Sequence, residues 1–190
     1  MNEEELRAAT IGEPTVHDGP IDLADYDPVW PGRFATESER IRSSLGDVAL
    51  AIEHVGSTSV PGLAAKPVID ILLAVPDTAN EDAYVPAMVA AGYVLRIRQP
   101  DWYEHRFLVH DDPKIQVHVF SQGCVEIDRM LAFRDRLRAD EADRILYEGT
   151  KRELAARRWR YVQWYADAKT TVVEEILARA LERDPGATAT

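Results

Sequence analysis

Glu53-His54-Val55-Gly56-Ser57-Thr58-Ser59-Val60-Pro61-Gly62-Leu63-Ala64-Ala65-Lys66-Pro67-Val68-Ile69-Asp70-Ile71 is the stretch on which the fold turns. The apolar run from Val48 to Ile52 leads into it and reads as a buried strand. A second apolar run, Val68 to Val75, leaves it and reads as another. Between them lie glycines, prolines and three consecutive hydroxyl residues, the composition of a tight polar loop. A strand therefore feeds a polar loop that returns to a strand carrying one carboxylate, Asp70.

The residue types in that loop suit a phosphorylated ligand. Gly56 lets backbone come close to a ligand, and the hydroxyls of Ser57, Thr58 and Ser59, with neighbouring N–H groups, are donors for phosphate oxygens. Asp70 stands among aliphatic neighbours, where a charge needs a partner. A magnesium ion bridging to a triphosphate is one such partner. A tight surface loop with Asp70 bonded to backbone is the alternative. Lys66 in the loop and Arg106 further on are candidates to neutralise phosphate charge, against the plainer readings of a solvated lysine and an arginine paired with Asp101 or Glu104.

Outward from the loop, Trp30 to Leu45 reads as a helix on the N-terminal side. Ile21 and Leu23 suggest an edge strand before it, and Glu3 to Ala9 a short helix. On the C-terminal side, Pro76-Asp77-Thr78 reads as a cap for a helix from Glu81 to Ala91 that stops at Gly92. Strands are expected at Tyr93 to Ile97, Phe107 to Val109 and Lys114 to Phe120. In the last of these Gln116 and His118 share one face, and Ile115, Val117 and Val119 the other. His105 has no strand context in this reading. Three helices follow, from about Ile127 to Leu137, Glu141 to Arg157 and Tyr161 to Leu181, and Asp184 to Thr190 reads as a frayed tail.

Composition narrows the function. A chain of 190 residues with 46% hydrophobic content supports one core domain, divided here into an extension at 1–20, a domain at 21–182 and a tail at 183–190. The net charge of −11 argues against general nucleic-acid binding, though a small anion can be neutralised locally. Cys124 is the single cysteine, so an internal disulfide and a cysteine zinc cluster are excluded. With no apolar run of membrane length, no membrane partner and a cytoplasmic location are expected.

The run from His54 to Ile71 closely resembles the signature of the GrpB family, small bacterial proteins with a nucleotidyltransferase-like fold. Tyr26-Asp27-Pro28 with Trp30, His118-Val119, Phe133-Arg134-Asp135 with Leu137-Arg138, and Tyr165 with Lys169 extend the resemblance over about residues 21 to 182. It implies an α+β domain in which a mixed sheet is followed by C-terminal helices packed beside a cleft. It also implies a Gly-Ser loop, here Gly56-Ser57, that cradles a nucleoside triphosphate, and Asp70 as a metal-binding acid. The wider superfamily has a second acid two residues on, where this chain has Leu72. His118 is on the strand where a third acid would stand, and a neutral imidazole binds metal or accepts a proton, so Asp70 and His118 are the expected catalytic and metal-binding pair, beside the alternative of a histidine satisfied on a half-buried sheet face. The resemblance further makes Arg134, Asp135, Tyr165 and Lys169 candidates for the cleft wall, beside the alternative of a helix–helix ion pair between Asp135 and a nearby cation. The implied function is Mg-dependent nucleotidyl transfer from a nucleoside triphosphate to a small acceptor, or its activation. The alternatives are a non-catalytic nucleotide-binding module and an accessory domain linked to dephospho-CoA kinase.

Overall fold

A computed structural model describes residues 1–182; the expected tail, 183–190, lies outside the described residues. Seven α-helices and five strands occur in the order α1 (Glu3–Ala9), α2 (Trp30–Leu45), β1 (Ala51–Val55), β2 (Ile69–Val75), α3 (Val85–Ala90), β3 (Val94–Gln99), β4 (His105–His110), β5 (Ile115–Ser121), α4 (Val125–Ala139), α5 (Glu141–Ala155), α6 (Val162–Asp167) and α7 (Thr170–Glu182). The expected α+β class, with a mixed sheet and C-terminal helices, is the observed one.

The sheet has the order β1-β2-β5-β4-β3. β2 and β5 run parallel at its centre, and every other neighbouring pair is antiparallel. Alternation along the strands sorts the side chains into two unlike faces. One carries Ile52, Ile69, Ile71, Leu73, Val75, Leu108, Ile115, Val117 and Val119, which pack with Trp30, Ile41 and Leu45 of α2 and with Tyr84, Met88 and Tyr93 into the main core. Complete burial of each large aliphatic side chain contributes about 1.5–3 kcal/mol, so this face carries most of the fold's stability. The opposite face carries Asp70 and Leu72 of β2, Gln116 and His118 of β5, and Phe107 of β4. It is the one that can serve chemistry.

Several local expectations shift for identifiable reasons. The first strand begins at Ala51, because Gly46–Val48 closes α2 with a 3-10 turn in which Gly46 adopts φ +53°. Ile21 and Leu23 form no edge strand. Ile21 is buried beside Leu154, Ala155 and Tyr165, and the segment touches the signature loop through a single bridge, Ala24 to Ala65. The helix expected from Glu81 is a 3-10 turn at Glu81–Ala83 followed by α3. Pro86 lacks an N–H and fits the first turn of a new helix better than the interior of a continuing one. Thr78 is no helix cap: its N–H donates to the Ser121 hydroxyl, and the two hydroxyls lie 3.0 Å apart.

The third expected C-terminal helix is two. The Thr170 hydroxyl donates to the Asp167 carbonyl at 2.7 Å and competes for the backbone at that point, so the chain turns at Ala168 and Lys169 between α6 and α7. Beneath the helices, Val60 and Leu63 of the signature loop pack with Leu137, Tyr147, Val172 and Ile176, so α4, α5 and α7 close over the loop. Asp143 of α5 accepts from Arg136 of α4 at 2.5 Å and from Arg179 of α7 at 2.9 Å and fixes the three helices together. Among the described residues no helix is long and apolar enough to cross a membrane.

Candidate functional site

Gly56 and Asp70 meet where the loop leaves β1 and re-enters the sheet at β2. Val55, the last residue of β1, pairs with Asp70, the second residue of β2, so the loop leaves and re-enters the sheet beside that carboxylate. Gly56 has φ +66°, and a Cβ built there would stand 2.2 Å from Asp70 Oδ2 and 2.8 Å from its Cβ and Cγ. Both the backbone angle and the approach of the carboxylate require glycine.

The three hydroxyls of the loop have different fates. Thr58 is buried; its Oγ1 donates to the Val68 carbonyl at 3.1 Å and sits 3.1 Å from His54 Nε2. Ser59 Oγ donates to the Gly56 carbonyl at 2.6 Å, and its own carbonyl accepts from Nε and Nη2 of Arg138 at 3.0 and 2.9 Å. Ser57 alone of the three turns toward the helices, where its Oγ accepts from Lys151 Nζ at 3.0 Å. The expected phosphate-facing role of Thr58 and Ser59 is therefore corrected: their hydroxyls brace the loop internally and leave Ser57 at its mouth.

Asp70 is surrounded by ammonium groups. Lys66 of the loop, Lys169 of the α6–α7 turn and Lys151 of α5 all act electrostatically on it. Burial nevertheless dominates and lifts the Asp70 carboxyl to about 6, with the three lysines pulling against it. The same burial lowers Lys151 to about 7 and Lys169 to about 8, and Lys66 falls in the same direction while Asp70 opposes it. Lys151 is only 2% exposed. It also donates to the Ala64 carbonyl, and its Nζ stands 4.9 Å from the centre of the Tyr147 ring. Lys169 Nζ lies 4.6 Å from the centre of the Tyr165 ring. Tyr147 is within electrostatic reach of Ser57 and Asp70, and among the described residues the Tyr165 hydroxyl, fully enclosed, has no hydrogen-bond partner.

His118 has the sheet face that the sequence leads one to expect. Its strand lies next to β2, and its register partner is Leu72, with Gln116 paired to Asp70. The imidazole, however, is engaged toward the far side of β5. Its Nδ1 lies 3.2 Å from His105 Nε2, and its ring contacts those of Phe107 and His105 at 5.0 and 5.4 Å between centres. Burial alone holds it down to about 4. His105, read as lacking strand context, opens β4, and its Nδ1 lies 2.8 Å from Gln99 Oε1.

Arg106 requires correction. It pairs with Val119 and so projects from the main-core face, opposite Asp70. There its Nε donates to Glu81 at 2.6 Å and its Nη1 to Glu104 at 3.2 Å, which leaves no guanidinium for a ligand in the cleft. Arg134 is spent on structure, donating to Glu53 at 2.8 Å, to the His54 carbonyl at 3.1 Å and to its neighbour Asp135.

Lys151 and Tyr147 were missed as functional residues by sequence reasoning. The signal was present: Tyr147, Lys151, Leu154 and Ala155 share one helical face, and a lysine on an otherwise apolar face needs an anionic or acceptor partner.

A magnesium ion is a poor match for this donor set. Mg²⁺ takes oxygen ligands in octahedral geometry. Here a single carboxylate faces three ammonium groups, Leu72 occupies the place of a second acid, and the nearby histidine is turned to another ring. Among the described residues no three His, Cys, Asp or Glu side chains are grouped to hold a metal. The site can accept an anion through Ser57 and the lysines.

Comparison with known proteins agrees with the signature. The chain is 57% identical over 178 residues to a UPF0157 protein of Halalkalibacterium halodurans, covering 94% of this chain and 91% of that one. The crystal structure of the conserved protein GrpB from Enterococcus faecalis superposes with a TM-score of 0.72 at 30% identity, covering 85% of this chain and 98% of that one. A dephospho-CoA kinase of Mycolicibacterium paratuberculosis is 32% identical over 164 residues, which take in 73% of this chain and 40% of the kinase. The family profile described as GrpB protein matches residues 20–179, and the chain belongs to the GrpB family.

Proposed function

We propose that this protein binds a nucleoside triphosphate, or a related phosphorylated nucleotide, with its phosphates in the cleft between the Asp70 face of the sheet and the C-terminal helices. One observation carries this reading: Lys151 Nζ donates to the Ser57 hydroxyl at 3.0 Å, and Lys66, Lys151 and Lys169, from three separate parts of the chain, all act electrostatically on Asp70. Buried lysines are costly, and three of them around one acid leave positive charge that an anionic ligand would complete. The Ser57 hydroxyl and the ammonium groups are donors for phosphate oxygens, and the glycine at position 56 allows close approach. The acidic surface, with a net charge of −11, disfavours a nucleic-acid backbone and confines anion binding to this enclosed point.

Binding is better supported than transfer. Nucleotidyl transfer assisted by magnesium needs acids that this cleft does not group, so the nucleotidyltransferase-like fold serves here as a holder of a cytosolic nucleotide. The similarity to part of a dephospho-CoA kinase favours a second, narrower reading. In that reading the domain is an accessory unit that presents or retains an adenine nucleotide for a kinase acting on dephospho-CoA.

Thermal-shift measurements with ATP, GTP, CTP, UTP, ADP and dephospho-CoA test both readings, because a ligand that binds the native state raises its melting temperature. A rise with the triphosphates is expected. A rise confined to dephospho-CoA would select the accessory reading, and no rise with any of them would overturn nucleotide binding.

A further inference from the structure

We infer that the site neutralises its anionic ligand with Lys66, Lys151 and Lys169 in place of a divalent metal ion, so that Asp70 organises the lysines and does not ligate magnesium. This inference rests on the phosphate-binding reading above and specifies how the charge is met. In metal-assisted phosphate sites, acids hold the cation and the cation holds the phosphate. Here the balance is reversed. Three lysines act on the Asp70 carboxylate, and Glu148 and Asp167 act in turn on Lys151 and Lys169. A magnesium ion on Asp70 would add two positive charges within reach of all three lysines.

The surroundings of Asp70 point the same way. Its Oδ2 is crowded by Gly56, where even a methyl group would come to 2.2 Å. The next outward residue of β2 is the fully buried Leu72. His118, paired with that leucine, is within hydrogen-bonding distance of His105. On the helix side the groups are donors: the lysine ammoniums and the hydroxyl of Tyr147. The Tyr165 hydroxyl, on the ring 4.6 Å from Lys169 Nζ, is 98% enclosed and has no partner among the described residues. A buried phenol without a partner loses a hydrogen bond that a ligand oxygen could restore.

Calorimetric titration of the whole chain with ATP and with sodium tripolyphosphate, each in EDTA and in excess Mg²⁺, tests the inference. Binding in EDTA is expected to be at least as tight as in Mg²⁺, with tripolyphosphate competing against ATP. Asp70→Asn gives an opposing sign for the two accounts. Removal of the carboxylate charge is expected to tighten tripolyphosphate binding several-fold if lysines hold the anion, and to abolish it if Asp70 holds a metal. Affinity that requires Mg²⁺, or weakening in Asp70→Asn, would overturn the inference while leaving nucleotide binding intact. The titration of the unsubstituted protein decides the matter even where Asp70→Asn fails to fold. Absence of binding by either ligand in both buffers would overturn the phosphate-binding reading and the inference with it.

Discussion

The Lys151 ammonium donates to the Ser57 hydroxyl at 3.0 Å and to the Ala64 carbonyl, so one buried side chain from α5 ties together both limbs of the signature loop. Loop shape and loop charge are thereby set by a residue far from the loop in sequence. Ser57→Ala is expected to weaken triphosphate binding by about 0.5–1.5 kcal/mol, the net worth of one hydroxyl hydrogen bond. Its far-UV circular dichroism should match that of the unsubstituted protein. An unfolded variant would make the loop hydroxyl structural.

Lys151→Met should separate binding from stability. Methionine fills a similar volume without the cost of a buried charge, but it leaves the Ala64 carbonyl and the Ser57 hydroxyl without this donor, a loss of about 1–3 kcal/mol. Chemical denaturation is expected to show a loss of at most about 3 kcal/mol, while calorimetry shows triphosphate affinity falling more than tenfold. Unchanged affinity would remove Lys151 from the site.

Two glycines of the loop allow the Asp70 contact to be weighed. Gly56 and Gly62 both have positive φ, +66° and +79°, but a Cβ at Gly62 meets nothing within 4 Å. Gly62→Ala should cost about 1 kcal/mol from backbone conformation alone. Gly56→Ala adds the collision with Asp70 and should cost about 1–3 kcal/mol more. Urea denaturation of the two variants gives the comparison; equal losses would mean that Asp70 moves aside freely.

Arg106 is expected to matter for the fold and not for the ligand. Its side chain is 7% exposed and bonded to Glu81, which Arg98 also holds at 2.7 Å, so Arg106→Ala removes one of that carboxylate's two partners. Losing that charged hydrogen bond costs about 1.5–3 kcal/mol. The melting temperature should fall, and triphosphate affinity, measured below it, should be retained. A selective loss of affinity would place the guanidinium in the ligand's path after all.

Acid should destabilise the protein earlier than its carboxylates alone would require. Burial lowers His54 and His118 to about 4 and His105 to about 2, against about 6.5 in an unfolded chain. These neutral rings contribute stability that is fully present above pH 6.5 and is lost as pH falls toward 4, because the unfolded chain binds the extra protons. Asp70, raised to about 6, acts in the opposite direction over pH 6 to 4, but it is one group against three. Denaturation midpoints should therefore fall between pH 6.5 and 4.5, and His118→Gln should flatten that slope. A midpoint constant across this range would contradict the burial of the rings.

Much of the scaffold was legible in the residues themselves. The helix at Trp30–Leu45, the second strand near Val68–Val75 and the division of Gln116 and His118 from Ile115, Val117 and Val119 all follow from periodicity, which is a property of neighbouring residues. The signature loop announced Gly56, Ser57 and Asp70 as a unit for the same reason. Where local signals compete, the reading failed: the 161–181 helix broke at Ala168 and Lys169, and the break delivers a lysine to the cleft.

What the tertiary structure alone decided is which side chains meet. Arg106 and Lys66 looked equivalent as phosphate clamps, but strand alternation and the position of Glu81 send Arg106 to the other face of the sheet. Thr58 and Ser59 looked like Ser57, yet their hydroxyls close the loop on itself. Lys151 stands 94 residues from Ser57 and reaches it because apolar packing of Val60 and Leu63 against Leu137 and Tyr147 brings α5 down on the loop. Periodicity records which face of an element is buried. The partner buried against that face is selected by the packing of the whole chain, and so is the charge it brings to the site.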